Sequence, residues 1–281
     1  AEAYTAYVIK NIDTYIKGSP DYVTIANLVS PTGIFSQEYS NDYKAARLVT
    51  FGYRYGTDNA NETGTDGHLE SWTLAEPIIR KQLPEIYVPI DTLKNLFMSQ
   101  FTTDNRFGYD ELSKPMKYYS NYVTGLSREY PIFSKINVVR EGKDNTGDLG
   151  VFTSFIIWSR LEDILLLRAE ALVMLNRSED AINCLNELRG VRNLRNLSYL
   201  KDLKGDAKAL LKEIFRERRR ELMGEGHRWF DRIREARTVG DDDAMIKLIN
   251  EGGIYWPIAE EVIRENPSIT QNEYWLSLIH I

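Results

Sequence analysis

The sequence predicts a mainly α protein, with tetratricopeptide-like helical hairpins joined to a long, irregular, loop-rich region. Three observations lead there. From Leu161 to Asn176 the apolar positions 161, 164, 165, 169, 172 and 175 follow helical spacing, with Arg168 as a polar interruption. After a short turn, Ala181, Ile182, Leu185 and Leu188 give a second helix its apolar face. Residues 30–154, by contrast, are rich in Gly, Asn, Asp, Thr and Tyr with little periodicity, which is unusual for a stretch that carries no function.

Taken in order, residues 1–29 read as helical. Ala3, Tyr7, Ile12 and Ile16 mark an apolar face, and Gly18, Ser19 and Pro20 break the run. Within residues 30–154 the regular element expected is a helix over Thr92–Phe101, and polar loops run from Thr57 to Gly67 and from Glu141 to Asp148. Residues 155–275 form the helical region. Ala169, Leu172, Asn176, Ala181, Leu185 and Leu188 fall at the packing positions of a tetratricopeptide hairpin, with small Ala169 and Ala181 allowing close approach. Asn176, Arg177 and Ser178 make its turn, and Ser178 is the expected N-cap of the second helix. A third helix starts at the N-cap Asp206, carries Leu210, Ile214, Phe215 and Leu222, and stops near Gly224 and Gly226. Residues 276–281 are a tail without a reading.

Bulk properties exclude several classes of function. With 281 residues the chain can bury a substantial core. Its 35 basic and 41 acidic residues give a net charge of −6, which opposes nucleic acid as the main ligand. The single cysteine, Cys184, cannot close an internal disulfide, and its apolar neighbours place it as a buried, inert thiol. No apolar run reaches the length of a membrane-spanning helix. Ala1 opens directly into helix-like sequence without a signal peptide, so the chain reads as a mature or trimmed fragment.

Catalytic and cofactor motifs are missing. There is no G-x-S-x-G, phosphate loop or dinucleotide fingerprint, and His68, His227 and His280 are too scattered for a zinc motif. The loop Asp58–Asp66 suggests calcium only superficially, because Ala60 stands where an EF-hand needs an oxygen ligand. No enzyme, cofactor or metal is expected. The Arg/Glu-rich run from Glu217 to Asp231 reads as structural, with Glu217 facing Arg220, Arg218 facing Glu221, and Arg228 within reach of Glu225. His227 is expected to be a hydrogen-bonded packing residue. For ligand binding the best region is the irregular middle, where Tyr53, Tyr55 and Trp72 flank a loop offering Asp58, Asn59, Asn61 and Asp66. Aromatic platforms beside Asn and Asp suit a saccharide, whose ring packs on a π-face while its hydroxyls pair with amides and carboxylates. The candidate ligand residues are Trp72, Tyr53, Tyr55, Asp58 and Asn61.

Three segments in the right order resemble the SusD/RagB family. The first runs from Trp158 to Ala171 and on from Ala181 to Arg192. The second spans Ile214 to Asp231, close to E-R-R-x-E-L-x-x-E-G-x-R-W-x-D. The third runs from Tyr255 to Asn272, similar to P-I-P-x-x-E-x-x-x-N-P, with Ala259 in place of the second proline. The resemblance is clear over residues 155–275, while Asp104–Phe107 looks like another familiar stretch. It implies a non-catalytic, cell-surface lipoprotein of the outer membrane that binds a glycan or other nutrient for import through a SusC-like TonB-dependent transporter. It also implies a C-terminal portion of such a protein, whose lipid anchor is outside this chain. Two other classes compete. A tetratricopeptide adaptor would need a longer repeated helix array, and a glycan hydrolase would need two carboxylates flanking a cleft at a set separation.

Overall fold

The computed structural model describes residues 1–11, 47–51, 87–98, 103–110, 112–133, 156–194 and 199–276. Its centre is the predicted hairpin. Helix α3 (Leu161–Met174) and helix α4 (Ser178–Val191) are antiparallel neighbours. Leu161, Leu165, Leu166, Ala169, Leu172 and Val173 from α3 meet Ala181, Ile182, Leu185 and Leu188 from α4 in one buried cluster. Ala169 and Ala181 are both fully buried, as close approach of the two helices requires. Asn176 makes the turn in the left-handed region, at φ 59°, a conformation asparagine tolerates better than most side chains. Cys184 sits in this core, and burial pushes its thiol up to about 11. Such a thiol is almost wholly protonated at neutral pH and therefore a poor nucleophile.

Around α3 pack α1 (Glu2–Lys10) and α6 (Ala207–Glu221), so α3 is covered on more than one side. That explains why Glu162 and Asp163 are buried on α3, whereas Leu175, expected on the apolar face, ends the helix exposed. The face of α1 also differs from expectation. It buries Thr5, with Ile9 packed against the core, and leaves Tyr7 61% exposed. Thr5 tolerates burial because its hydroxyl donates to the carbonyl oxygen of Glu2 at 2.9 Å. Residues 12–29 of the expected helical segment lie outside the described residues.

Helix α6 begins as the sequence predicts. The Asp206 carboxylate accepts from the backbone N–H of Ala209 at 2.9 Å. Ser178 does not cap α4. Arg177 holds the N-cap position without a side-chain cap and instead pairs with Asp180 at 2.7 Å, while Glu179 and Asp180 complement the helix dipole. Between α4 and α6 lie α5 (Tyr199–Asp202) and a 3₁₀ turn, Leu203–Gly205. After α6 come α7 (Arg228–Val239), packed on α6, and α8 (Asp243–Asn250), packed on α7. Two short helices, α9 (Glu260–Glu265) and α10 (Glu273–Leu276), finish the described chain.

A second core gathers the irregular middle. Helix α2 (Ile90–Leu93) runs on into a π-helical turn, Lys94–Met98, two residues earlier than the expected Thr92 start. Leu93, Leu96, Phe97, Phe107, Val123 and Phe133 form the cluster, with Met223 from the end of α6 packed on it. Three two-stranded antiparallel ladders complete the described elements: β1 (Arg47–Phe51) with β6 (Ile156–Arg160), β2 (Gly108–Asp110) with β3 (Lys117–Tyr119), and β4 (Val123–Thr124) with β5 (Ile132–Phe133). Strand β6 therefore leads straight into α3.

Gly224 joins the two cores. Its φ is +81°, and a Cβ placed there would stand 2.2 Å from the Phe133 ring carbon Cζ. Both the backbone and the space demand glycine. Gly224→Ala should lose about 2–3 kcal/mol, from left-handed strain and a forced shift of a buried ring, readable as an earlier denaturant midpoint. A loss under about 0.5 kcal/mol would show that this junction yields freely.

Candidate functional site

The five predicted ligand residues, Trp72, Tyr53, Tyr55, Asp58 and Asn61, lie outside the described residues, as does His68. The described residues instead bring together the charged run of α6, and they do so more tightly than its sequence suggests. Helical periodicity places Glu213, Glu217, Arg220 and Glu221 toward the interior, and all four are buried. Burying carboxylates is costly unless each is paired, and the partners come from four separate elements.

Glu221 is the hub. Arg192 of α4 approaches its Oε1 at 2.6 Å, Arg160 at the start of α3 approaches the same oxygen at 2.9 Å, and Arg106 reaches Oε2 at 2.9 Å. Arg160 also binds Glu162 at 2.9 Å and Glu225 at 2.7 Å, and donates to the Glu221 carbonyl oxygen at 2.8 Å. Glu217 receives Arg189 at 2.7 Å and Arg220 at 3.1 Å. Its Oε1 stands 2.6 Å from Arg106 Nη1, close enough for charge pairing though not aligned as a hydrogen bond. Arg106 is anchored by Asp104 at 2.8 Å and lies against the Phe97 ring, and the hydroxyl of Ser120 donates to its carbonyl oxygen. A second branch leaves from the other side of α6. There Arg218 pairs with Asp163 at 2.8 Å and with Asp231 at 3.0 Å.

Electrostatics follow from this geometry. Burial by itself would raise the carboxyl of Glu217, but Arg106, Arg189 and Arg220 outweigh it and hold the group far below the usual carboxylate range. Glu221 behaves alike: Arg192, Arg160 and Arg106 overcome its desolvation. A general acid at neutral pH needs the opposite displacement. At neutral pH these two carboxylates are anions that fix arginines in place.

Of the three expected pairings, one is confirmed and two are rearranged. Glu217 does face Arg220. Arg218 turns to Asp163 and Asp231 instead of Glu221, because Glu221 is filled by guanidinium groups from α4 and from the β6–α3 junction. Arg228 reaches Glu235 at 3.4 Å, since Glu225 is held by Arg160. His227 occupies the N-cap position of α7 without a side-chain cap hydrogen bond. Asp104, Arg106, Arg160, Arg189 and Arg192 were missed as members of the network. The available signal was arginine recurring three residues apart at the end of α4, in line with its apolar interior face of Ala181, Ile182, Leu185 and Leu188.

Beside the second branch lies a cavity of about 240 Å³ between α2, the end of α6 and the start of α7. Its walls mix apolar Val88, Leu96 and Leu222 with Arg218, Arg219 and Arg228. Among the described residues no group of three or more His, Cys, Asp or Glu is arranged to hold a metal ion.

Fold and network together define a helical-hairpin scaffold whose joints are fixed by buried ion pairs. Residues 46–252 match the model of the SusD family, and the chain belongs to that family. It is 36% identical over 121 residues, 42% of this chain and 24% of the relative, to a SusD-like protein of Formosa agariphila. The crystal structure of a SusD superfamily protein from Bacteroides thetaiotaomicron covers 98% of this chain and 54% of its own length, at 42% identity and a TM-score of 0.73. Surface glycan-binding protein A from Bacteroides uniformis covers 97% of this chain and 57% of its own, at 17% identity and a TM-score of 0.55, a likeness of fold alone. The chain thus spans about a quarter of the curated relative and about half of these solved structures.

Proposed function

We propose that this SusD-family chain binds glycans without turning them over, as part of a lipid-anchored assembly at the outer face of the outer membrane. In this reading captured ligand passes to a SusC-like, TonB-dependent transporter. The observation that carries it is family membership across residues 46–252, joined to a scaffold whose buried carboxylates Glu217 and Glu221 are committed to arginines. A relative of the same fold is a surface glycan-binding protein by name, which supports a saccharide as ligand. Among the described residues no helix is long and apolar enough to cross a membrane.

Contact with the glycan is assigned to Trp72, Tyr53 and Tyr55 as stacking platforms, with Asp58 and Asn61 pairing the hydroxyls. The experiment is a glycan panel run by affinity electrophoresis, with every retained glycan then incubated with the protein and examined for shorter products. Retention without shortening is the expected result; products that vanish when one carboxylate is replaced would make the protein a hydrolase. Trp72→Ala should weaken a retained glycan several-fold at unchanged melting temperature, because ring stacking is worth on the order of 1 kcal/mol. If Trp72→Ala, Tyr53→Ala and Tyr55→Ala all bind like the parent, the contacts lie elsewhere. Co-purification of a large outer-membrane barrel with the lipoprotein in mild detergent tests the transporter, and a barrel-free preparation would count against it.

A further inference from the structure

The cavity at the α6–α7 joint carries a feature that the ion-pair network does not absorb. Three arginines line it, Arg218, Arg219 and Arg228, against one carboxylate, Asp231. Asp231 is already neutralised twice, by Arg218 at 3.0 Å and by Arg234 at 2.9 Å. Arg228 touches Glu235 only at 3.4 Å, with 45% of its side chain exposed. Arg219 has no hydrogen bond and no ion pair among the described residues, whereas its neighbours Arg216, Arg218 and Arg220 on α6 all hold carboxylates. The lining therefore bears an uncompensated positive charge at a place that solvent reaches.

We propose that this cavity binds a single anionic group, a carboxylate or a sulfate ester, presented by a saccharide. The saccharide half of the proposal rests on the glycan-binding reading above; the anion half rests on the cavity alone. A guanidinium with free N–H donors matches the planar, bidentate acceptor pattern of carboxylates and sulfates. Burial, followed by Arg228 and Arg232, holds the Arg219 proton less tightly than usual, with Glu235 only partly opposing them. An anion in the cavity would relieve that repulsion. The α7 amino end borders the same space through Gly226, His227 and Arg228, and its uncapped first turn favours negative charge. At about 240 Å³ the space is smaller than pockets for drug-sized ligands, which start near roughly 300 Å³. It suits one acidic sugar unit and not a chain.

The test uses the isotopically labelled full chain at low ionic strength, following the Arg219 side-chain N–H resonance by NMR. D-glucuronate, inorganic sulfate and glucose are titrated in turn. A saturable shift with glucuronate or sulfate, none with glucose, and at least about tenfold weaker binding in Arg219→Gln supports the site. The melting temperature of Arg219→Gln should stay unchanged, because the side chain makes no hydrogen bond or ion pair among the described residues. A response to sulfate alone supports the site and narrows the source to sulfate esters. No saturable shift with either anion, or equal binding by Arg219→Gln, overturns it. The glycan panel separates the two readings. Retention of neutral glycans with a silent Arg219 overturns the anion site and leaves glycan binding standing. An anion response without retention of any glycan supports the site and counts against glycan binding.

Discussion

Glu221→Ala should cost about 3–5 kcal/mol of stability, the range for leaving buried charges without their partner. Three guanidinium groups lose their shared anion at once. Arg192, Arg160 and Arg106 all lie within 2.9 Å of a Glu221 oxygen, and all three are essentially inaccessible to water. Glu162, Glu217 and Glu225 still offset part of that charge but none of them replaces the hub. A loss of this size removes a large fraction of the net stability of an ordinary domain, so poor expression is expected as well. Glu221→Gln keeps the shape and loses the charge, and should fall between the parent and the alanine variant. Denaturant midpoints of the three proteins check the ranking. A cost below about 1 kcal/mol for Glu221→Ala would mean that the arginines find other partners or water, and that the hub is dispensable.

Acidification should dissolve the same network. Glu217 and Glu221 are both held below the ordinary carboxylate range when folded, while in the unfolded chain each titrates near roughly 4.3. A depressed folded value means that the unfolded chain binds protons first as pH falls. Their contribution is complete above about pH 5 and drains progressively below it, continuing toward the folded values. Midpoints should therefore be flat with respect to these two groups from pH 5 to 8 and should fall steeply below pH 4. Glu221→Gln should show a shallower acid limb. At the alkaline end the sign reverses. Burial, and then Glu221, raise the Tyr122 hydroxyl, so its contribution is present below roughly pH 10 and lost above it. A parent protein equally stable at pH 3 and pH 7 would refute the assigned direction for both carboxylates.

Much of the helical scaffold was legible because its signals are local. Leu161, Leu165, Ala169 and Leu172 recur at the helix period, and Ala181, Leu185 and Leu188 answer them one turn away, so the α3–α4 hairpin follows from the chain itself. Asp206 announces the start of α6 in the same way, since a cap bonds a backbone group three residues on. Ser178 carried an equally good local signal and failed. The helix instead starts one residue earlier, with Arg177 at the cap position and its side chain on Asp180, a shift that residue type alone does not settle. The ligand residues proposed around Trp72 rest on chemistry of residue type and on family resemblance.

The sequence by itself determined that the protein is built on helical hairpins, that Cys184 is a buried thiol, that Glu217 and Arg220 pair as structural members of the charged run, and that the chain has the motifs of the SusD family. Only the tertiary structure decided which charges meet. Reading along a helix can pair residues three or four apart, as it did for Glu217 and Arg220. It cannot foresee that Arg106 closes on Glu221 across 115 residues, or that Arg160 does so across 61. A buried carboxylate accepts whichever guanidinium the packing of α3, α4 and α6 delivers, because in a water-poor interior an unpaired charge costs several kcal/mol more than a paired one. The same packing left Arg219, on the wall of the cavity beside α7, without a hydrogen bond or ion pair among the described residues, and no spacing rule marks that residue out from the arginines on either side of it.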